Sequence, residues 1–561
     1  MTAFALVPVN LERGRLGLPS RALSQWAGVP VLTHTLNRLA RVDGLQGIVL
    51  VHPAGQDVPG LLPKITPAAR IRCFAHEPAR DLLAPARLSA RKWGLTAWRG
   101  GLGGMTIFDE LLPAGPLLAA AQEVKADAVL LAGADWPLVD PYWCSQVLAR
   151  HRDQPEAMPM TFSQAPPGMA GVALGLKMLE QLAQSQMTFG RLLAYSPSKP
   201  QPDSIGRDVC VQVPGDIRSC RDRLIYDTPR ACGLMDELAR RYGPAVTDMD
   251  ALAVAHDVAD IMAQRPLGFG RLPQQITLEL TPRRPVTGPI TPQHYVKLDR
   301  DFMPPELAQH ILAQVATEPD AAVLLGGLGD ALLHPHWWDI AQAARAAGVF
   351  GLGLETDLLC ELPEIDRLLE LDLDVVSVRL NADTAKTYES VMGQDAFAQV
   401  IHNLEHLINA RNHRTVELEK TAPSALDHQF ARPWVAPRLI KTADTLADME
   451  MFFDKWMHFT GHAVIEPATT GCGLMPALGP VNMAPGRRFP CRQLHRRMTI
   501  LSSGRVALCD QDWLGRVILG DANTTPLVEI MEHQREIASQ HQTGAWADLE
   551  LCVSCQEWHR P

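Results

Sequence analysis

Four cysteines near the end of the sequence carry the clearest chemistry in it. Cys491, Cys509, Cys552 and Cys555 are spaced C-x17-C-x42-C-x2-C. Four thiolates can close a tetrahedral site around zinc or hold an iron–sulfur cluster. A zinc ribbon normally offers two close CxxC pairs; here only Cys552 and Cys555 are close, with His495, His541 and His559 nearby as alternative zinc ligands. Both centres remain open on spacing alone. The same region concentrates Arg487, Arg488, Arg492, Arg496 and Arg497 in "APGRRFPCRQLHRR", a solvated face or a site for a phosphate or other anion. The glycine-rich "WRGGLGGMT" at 98–106 lacks the spacing and lysine of a phosphate-binding loop, so it reads as a turn or a flexible loop. The remaining cysteines, such as Cys144, Cys360 and Cys472, are scattered. Eleven in all, an odd number in a chain with no secretory signature, argue against a disulfide framework.

The elements that must position these residues follow from length and pattern. A chain of 561 residues is more than one core supports and implies several domains. Hydrophobic content of 47% with 20% charged residues describes a globular protein. A net charge of −10 argues against a protein built to grip nucleic acid or an anionic membrane. No apolar run reaches the roughly 18 residues needed to span a bilayer, and the N-terminus has no basic leader; a cytoplasmic location is expected.

Residues 1–245 alternate strand-like runs such as "FALVPV" and "GIVLVHP" with the helical spacing of "PVLTHTLNRLARV", a βαβ rhythm that implies a largely parallel sheet. A polar stretch of helical character, 246–271, links it to a second α/β region, 272–480. There the strand candidates are "QITLELT", "AAVLLGG", "FGLGLET", "DVVSVRLN", "TVELEKT" and "AVIEPAT", which suits an open or partial barrel. Residues 481–561 are too short and too rich in Cys, Arg and Gly for a core of their own, so something other than packing must hold them together.

"CRQLHRRMTILSSGRVALCDQDWLGRVILGDANTTPLVEIMEH…LCVSC" resembles a SPASM domain, the C-terminal extension of many radical SAM enzymes. Cys491, Gly504, Cys509, Gly520, Glu529 and the Cys552–Cys555 pair fall in its order. The resemblance implies one auxiliary [4Fe–4S] cluster held by Cys491, Cys509, Cys552 and Cys555. The region before it is similar to a radical SAM partial (β/α)6 barrel: "LLGGLGDALL" resembles the glycine-rich motif that meets the methionine end of SAM, with Asp330–Ala331 where Glu-Pro is usual. The family's CxxxCxxC would occupy 284, 288 and 291 of "LELTPRRPVTGPIT", where Arg284, Gly288 and Thr291 stand. None of these supplies a thiolate, so SAM is not expected to be cleaved.

The opening "ALVPVNLERGRLGLPSRALSQWAGVPVLTHTLNRLA" resembles GT-A nucleotidyltransferases, which are Rossmann-like. The resemblance puts Arg15 on the loop arginine, Arg21 on the lysine after proline, and Asp135 and Asp227 on two carboxylates that hold Mg²⁺. Leu11 and Arg13 fall on expected glycines and would crowd a triphosphate. The order of the three parts is similar to the spiro-SPASM proteins. That resemblance supplies no function; the degraded motifs in both domains favour an iron–sulfur-binding protein that recognises a nucleotide-activated or phosphorylated small molecule in glycan or cofactor biosynthesis. Two alternatives stand beside it. One is an active Mg²⁺-dependent nucleotidyltransferase with a structural iron–sulfur tail; the other is a radical SAM enzyme with unconventional cluster ligands. Departures from both catalytic motifs leave open whether either domain is an enzyme.

Overall fold

The computed structural model describes residues 1–65, 70–77, 83–153, 158–185, 188–190, 209–419, 431–482 and 484–560. The chain divides into two compact units, Met1–Leu82 with Gly104–Phe269, and Leu83–Gly103 with Gly270–Pro561.

The first unit is built on a seven-stranded sheet. Its strands are β1 (Ala3–Pro8), β2 (Leu45–Pro53), β3 (Ile71–His76), β4 (Ala128–Leu131), β5 (Met160–Ser163), β6 (Val172–Gly175) and β7 (Cys210–Val211), in the order β3-β2-β1-β4-β6-β5-β7. β1 is buried along its whole length and pairs in parallel with both β2 and β4, Leu6 facing Val49 on one side and Leu131 on the other. Apolar residues at every position, rather than every second one, are what a strand covered on both faces requires. The helix Val31–Leu39 crosses from β1 to β2, giving the expected βαβ start; β6 turns the sheet antiparallel against β4.

The stretch 246–271, expected to link the two regions, carries the helix Ala251–Gln264, capped by Asp250 accepting from the Ala253 N–H at 2.8 Å. Val254, Val258 and Ile261 pack with Leu234, Met235 and Leu238 of the helix Pro229–Tyr242. The helix is itself largely apolar, and its buried face belongs to the first core.

The second unit holds β8 (Gln275–Leu278), β9 (Ala322–Leu325), β10 (Gly351–Thr356), β11 (Val375–Arg379), β12 (Trp434–Lys441) and β13 (Val464–Pro467), consecutive and parallel. One expected strand was misplaced. "TVELEKT" lies mostly within the long helix Phe397–Glu419, with its last two residues outside the described chain; the fifth strand is "WVAPRLIK". Three alternating residues after an unbroken helical period continued the helix, because nothing such as Gly or Pro stops it there.

The tail is not a separate body. β14 (Arg497–Ile500) pairs in parallel with β8 on the sheet's other flank, and β15 (Arg505–Ala507) and β16 (Ile518–Asp521) follow antiparallel. Gly504, at φ +88, turns the hairpin where a Cβ would strike Asn523.

The segment Leu83–Gly103 enters this unit from far upstream. Its helix Ala84–Gly94 lies across the amino ends of the strands: Ser89 Oγ donates to Asp374 at 2.6 Å, Lys92 Nζ to the Phe350 carbonyl at 2.6 Å, and Trp434 Nε1 to the Ala86 carbonyl at 2.9 Å. Trp93, Trp98 and Trp434 are fully buried. "WRGGLGGMT", read as a turn or flexible loop, therefore contributes core. Left-handed backbone at Ala97, Arg99, Gly100, Gly101 and Gly103 lets the chain coil tightly enough to do so. Among the described residues no helix is long and apolar enough to cross a membrane.

Candidate functional site

The four tail cysteines converge. β14, the hairpin and the short helix Glu550–Val553 bring Cys491, Cys509, Cys552 and Cys555 within electrostatic reach of one another. Burial pushes Cys491 up to about 11 and Cys552 up to about 12, and raises Cys509 further. Cys555 runs the other way, lowered to about 6 by a hydrogen bond from Cys472, a residue that sequence spacing had left isolated. The Glu557 N–H also donates to the Cys555 sulfur at 3.3 Å. Among the described residues no three His, Cys, Asp or Glu donors close on a single ion. A cluster of several iron and sulfide atoms spaces its thiolates more widely than one ion does, so an all-thiol group with an N–H donor to sulfur fits a cluster in kind. His541, an alternative zinc ligand, turns its Nδ1 to the Cys491 N–H at 3.4 Å, and burial lowers it to about 4.

At the carboxyl ends of the parallel strands of the second unit, the three expected cluster positions are each occupied by other bonding. Arg284 forms a two-pronged ion pair with Asp357, Nε to Oδ2 at 2.9 Å, both side chains buried. Gly288 lies against Val391 and Met392 so closely that a Cβ would come under 3.0 Å from their backbone atoms. Thr291 is fully buried, and its hydroxyl donates to the Gly288 carbonyl at 2.8 Å. The glycine-rich turn after β9 is likewise engaged. Arg379 Nη2 donates to the Gly327 and Gly329 carbonyls at 2.7 and 3.0 Å, and a Cβ on Gly329 would collide with the Thr281 carbonyl. Asp330 accepts from the Asp357 N–H at 2.7 Å and from Thr356 at 3.0 Å. Burial, with the Asp357 charge, pushes its carboxyl up to about 6.

Glu355, near the end of β10, gathers Arg99, Arg379 and Arg438, the last at 2.9 Å; Arg99 also pairs with Glu466 of β13. Burial alone would raise Glu355, but Arg99 and Arg379 hold it below the usual carboxylate range. These charges line a cavity of about 530 Å³ whose other wall is the tail, through Asp510, Trp513 and Glu557.

The first unit brings Arg15, Asp135 and Asp227 together and leaves Arg21 beside them. Arg15 Nη2 donates to the Pro8 carbonyl at 2.7 Å, and Asp135 and Glu110 lie in its field. Burial raises Asp135, opposed by Arg15 and Arg223. Arg223 bonds both oxygens of Asp227, at 2.9 Å from Nε to Oδ1, and both of Glu110, at 3.0 and 2.6 Å. Its guanidinium thus holds the carboxylate expected to bind Mg²⁺, and the ion would have to displace it. Arg21 is exposed, near Tyr226 and Cys232.

The loop amides are spent internally: Glu12 and Arg13 donate to Asn10 Oδ1 at 2.9 and 3.0 Å, Leu11 to Gln56 at 2.8 Å, and Gly14 to the Leu18 carbonyl at 2.7 Å. Sequence reasoning missed Glu110 and Arg223. The i, i+4 spacing of Arg223 and Asp227 was the available signal.

Residues 491–556, which span all four tail cysteines, match the family model described as SPASM, an iron–sulfur cluster-binding domain. An uncharacterized protein of Treponema pallidum (strain Nichols) is 23% identical over 308 residues, 54% of this chain and 84% of that protein. Two solved structures show likeness at low identity. One is BtrN in complex with AdoMet and 2-DOIA, at 13% identity over 51% of this chain and 97% of that one, TM-score 0.34. The other is a cytidylyltransferase from Leptospira borgpetersenii serovar Hardjo-bovis (strain JB197), at 13% identity over 47% and 94%, TM-score 0.30.

Proposed function

We propose that this chain is an iron–sulfur-binding protein on the radical SAM/SPASM plan whose barrel binds a ligand without generating a radical. The observation that carries the reading is the reuse of the barrel's cluster loop. A cluster that cleaves SAM needs three thiolates and an open iron. Here one position is an arginine clamped to Asp357, the second has no room for any side chain, and the third is a hydroxyl turned into its own loop. Arg379 occupies the carbonyls of the glycine-rich turn that resembles the motif meeting the methionine end of SAM.

The tail cysteines Cys491, Cys509, Cys552 and Cys555 would hold one [4Fe–4S] cluster, which contributes folding free energy to a loop-rich segment. In the barrel, Arg99, Arg379 and Arg438 offer planar donors suited to phosphate, and a cavity of about 530 Å³ suits a small ligand. A nucleotide-linked or phosphorylated small molecule fits that lining. The Arg223 clamp and the spent loop amides favour this over catalysis of nucleotidyl transfer in the first unit.

Anaerobic purification with iron and sulfide analysis tests the reading. About four irons per chain, lost in C552A/C555A, with no 5′-deoxyadenosine released from SAM under dithionite, is the expected result. About eight irons, half of them kept in that variant, would return the radical enzyme. A thermal-shift series with CTP, UTP, GTP and ATP plus Mg²⁺ tests recognition. A stabilisation abolished by Arg438→Ala places the ligand in the barrel, whereas one abolished by Asp135→Ala places it in the first unit and restores the nucleotidyltransferase.

A further inference from the structure

A cation already sits between Asp227 and Glu110 in the first unit, and it belongs to the chain. Arg223 Nε donates to Asp227 Oδ1 and Oδ2 at 2.9 and 3.2 Å, and Nη2 donates to Oδ2 as well. On its other edge Nη1 donates to Glu110 Oε1 at 3.0 Å and Nη2 to Glu110 Oε2 at 2.6 Å. All four carboxylate oxygens therefore accept from one planar guanidinium. The side chains of Arg223, Glu110 and Asp227 are only 15%, 10% and 4% exposed, so salt and water screen the three charges little. The backbone beneath the arginine is held on both sides. The Leu224 N–H donates to the Pro167 carbonyl at 2.9 Å, and Gly168, at φ +92, lies so near the Leu224 carbonyl that a Cβ would overlap it. The Tyr226 N–H donates to the Asp135 carbonyl at 2.8 Å, which sets Asp135 beside Asp227. Thr228 then caps the helix Pro229–Tyr242 by accepting from the Ala231 N–H at 3.2 Å. Glu110 arrives on the 3₁₀ turn Ile107–Leu111, closed by reciprocal bonds between Thr106 and Asp109.

We propose that Arg223 is the resident cation of this site: its guanidinium stands where a divalent ion was expected, the first unit works without a metal, and a metal site opens only when Arg223 is removed. The inference rests on neither the iron–sulfur tail nor the ligand proposed for the second unit. An ion such as Mg²⁺ needs oxygens at about 2.0–2.1 Å in a near-octahedral array. A guanidinium instead spans its two carboxylates at hydrogen-bond distance, and while it does so neither of them is available to an ion. Among the described residues no three His, Cys, Asp or Glu side chains are grouped to hold one. Arginine stays charged at any physiological pH, so the site stays filled whatever the supply of divalent ions.

The test is titration of the full chain with MnCl₂, read as loss of the free-Mn²⁺ EPR signal, with uptake counted as the part that Asp227→Asn removes. The wild type is expected to take up none by that count, and Arg223→Gln to bind one ion per chain that R223Q/D227N no longer binds. Mn²⁺ should also raise the melting temperature of the Arg223→Gln protein and leave that of the wild type in place. A wild-type protein that binds an ion through Asp227 would overturn the proposal, because the ion would then displace the guanidinium; this arm needs no variant of Arg223 to fold. An Arg223→Gln protein that is folded by circular dichroism and binds no ion would overturn it too, since Arg223 would then be an ion pair and nothing more. Arg223→Gln leaves two buried carboxylates unpaired. If that variant does not fold, E110Q/R223Q removes one of those charges and keeps Asp135 and Asp227, and the same two outcomes decide.

Discussion

Arg284, Gly288 and Thr291 are each engaged in bonding or packing of their own, so the loop is filled rather than left empty. If the loop were merely vacant, restoring cysteines would be harmless. Because a Cβ at 288 meets the backbone of Val391 and Met392, Gly288→Cys should cost roughly 1–3 kcal/mol or more through overpacking. It should lower the melting temperature of the second unit without adding iron, even alongside R284C and T291C. Extra iron and sulfide in the triple variant would refute this. Arg284→Ala leaves Asp357 buried and unpaired, a loss of about 3–5 kcal/mol, and adding D357N should recover part of it in thermal melts. The absence of thiols was legible in the residue types. The reasons a thiol could not return were not, because Met392 and Asp357 lie far along the chain and only the fold brings them to the loop.

The Leu83–Gly103 segment couples to the rest of the second unit through His462. Its Nδ1 accepts from the Gly103 N–H at 3.3 Å, which requires a neutral ring, and burial, aided by Arg99, lowers its pKa to about 4. An unfolded histidine titrates near 6.5, so between about 4 and 6.5 the unfolded chain binds the extra proton. The stabilisation is complete above pH 6.5 and lost as pH falls toward 4, by up to about 3 kcal/mol. Melting of the second unit from pH 7.5 to 4.5 should show this slope, and His462→Gln should flatten it; an unchanged slope would remove His462 from the coupling. Most strands at this scale were readable, because buried parallel strands are unbroken apolar runs. The fifth was not: "TVELEKT" alternates as a strand does, yet it mostly continues a helix that no breaker stops. "WRGGLGGMT" gave no sign of its partner strands, which follow it by well over a hundred residues.

Across the whole molecule, the tail and the six parallel strands β8 to β13 share one nine-stranded sheet. A metal-stabilised tail standing alone would melt alone. Joined through β14 to β8, its loss should propagate. Chelation of the reconstituted protein should therefore lower the transition of the entire second unit and leave that of the first unit in place. Differential scanning calorimetry with and without chelator checks this, and a tail-sized transition separate from the barrel's would contradict it. The four-cysteine tail was visible in sequence, but its sharing of the sheet was not, since nothing in "RRMTI" says which strand it will join.

The route of the chain also sets a schedule. Leu83–Gly103 belongs to the second unit although Gly104–Phe269 returns to the first. During synthesis at about 5–20 residues per second, this segment leaves the ribosome roughly 10–30 s before β8, the earliest strand of its own unit, has been made. Over that interval Trp93 and Trp98 have no barrel to enter. The first unit can close with this loop still outside it, and those indoles have no packing partners until the strands of the second unit are made.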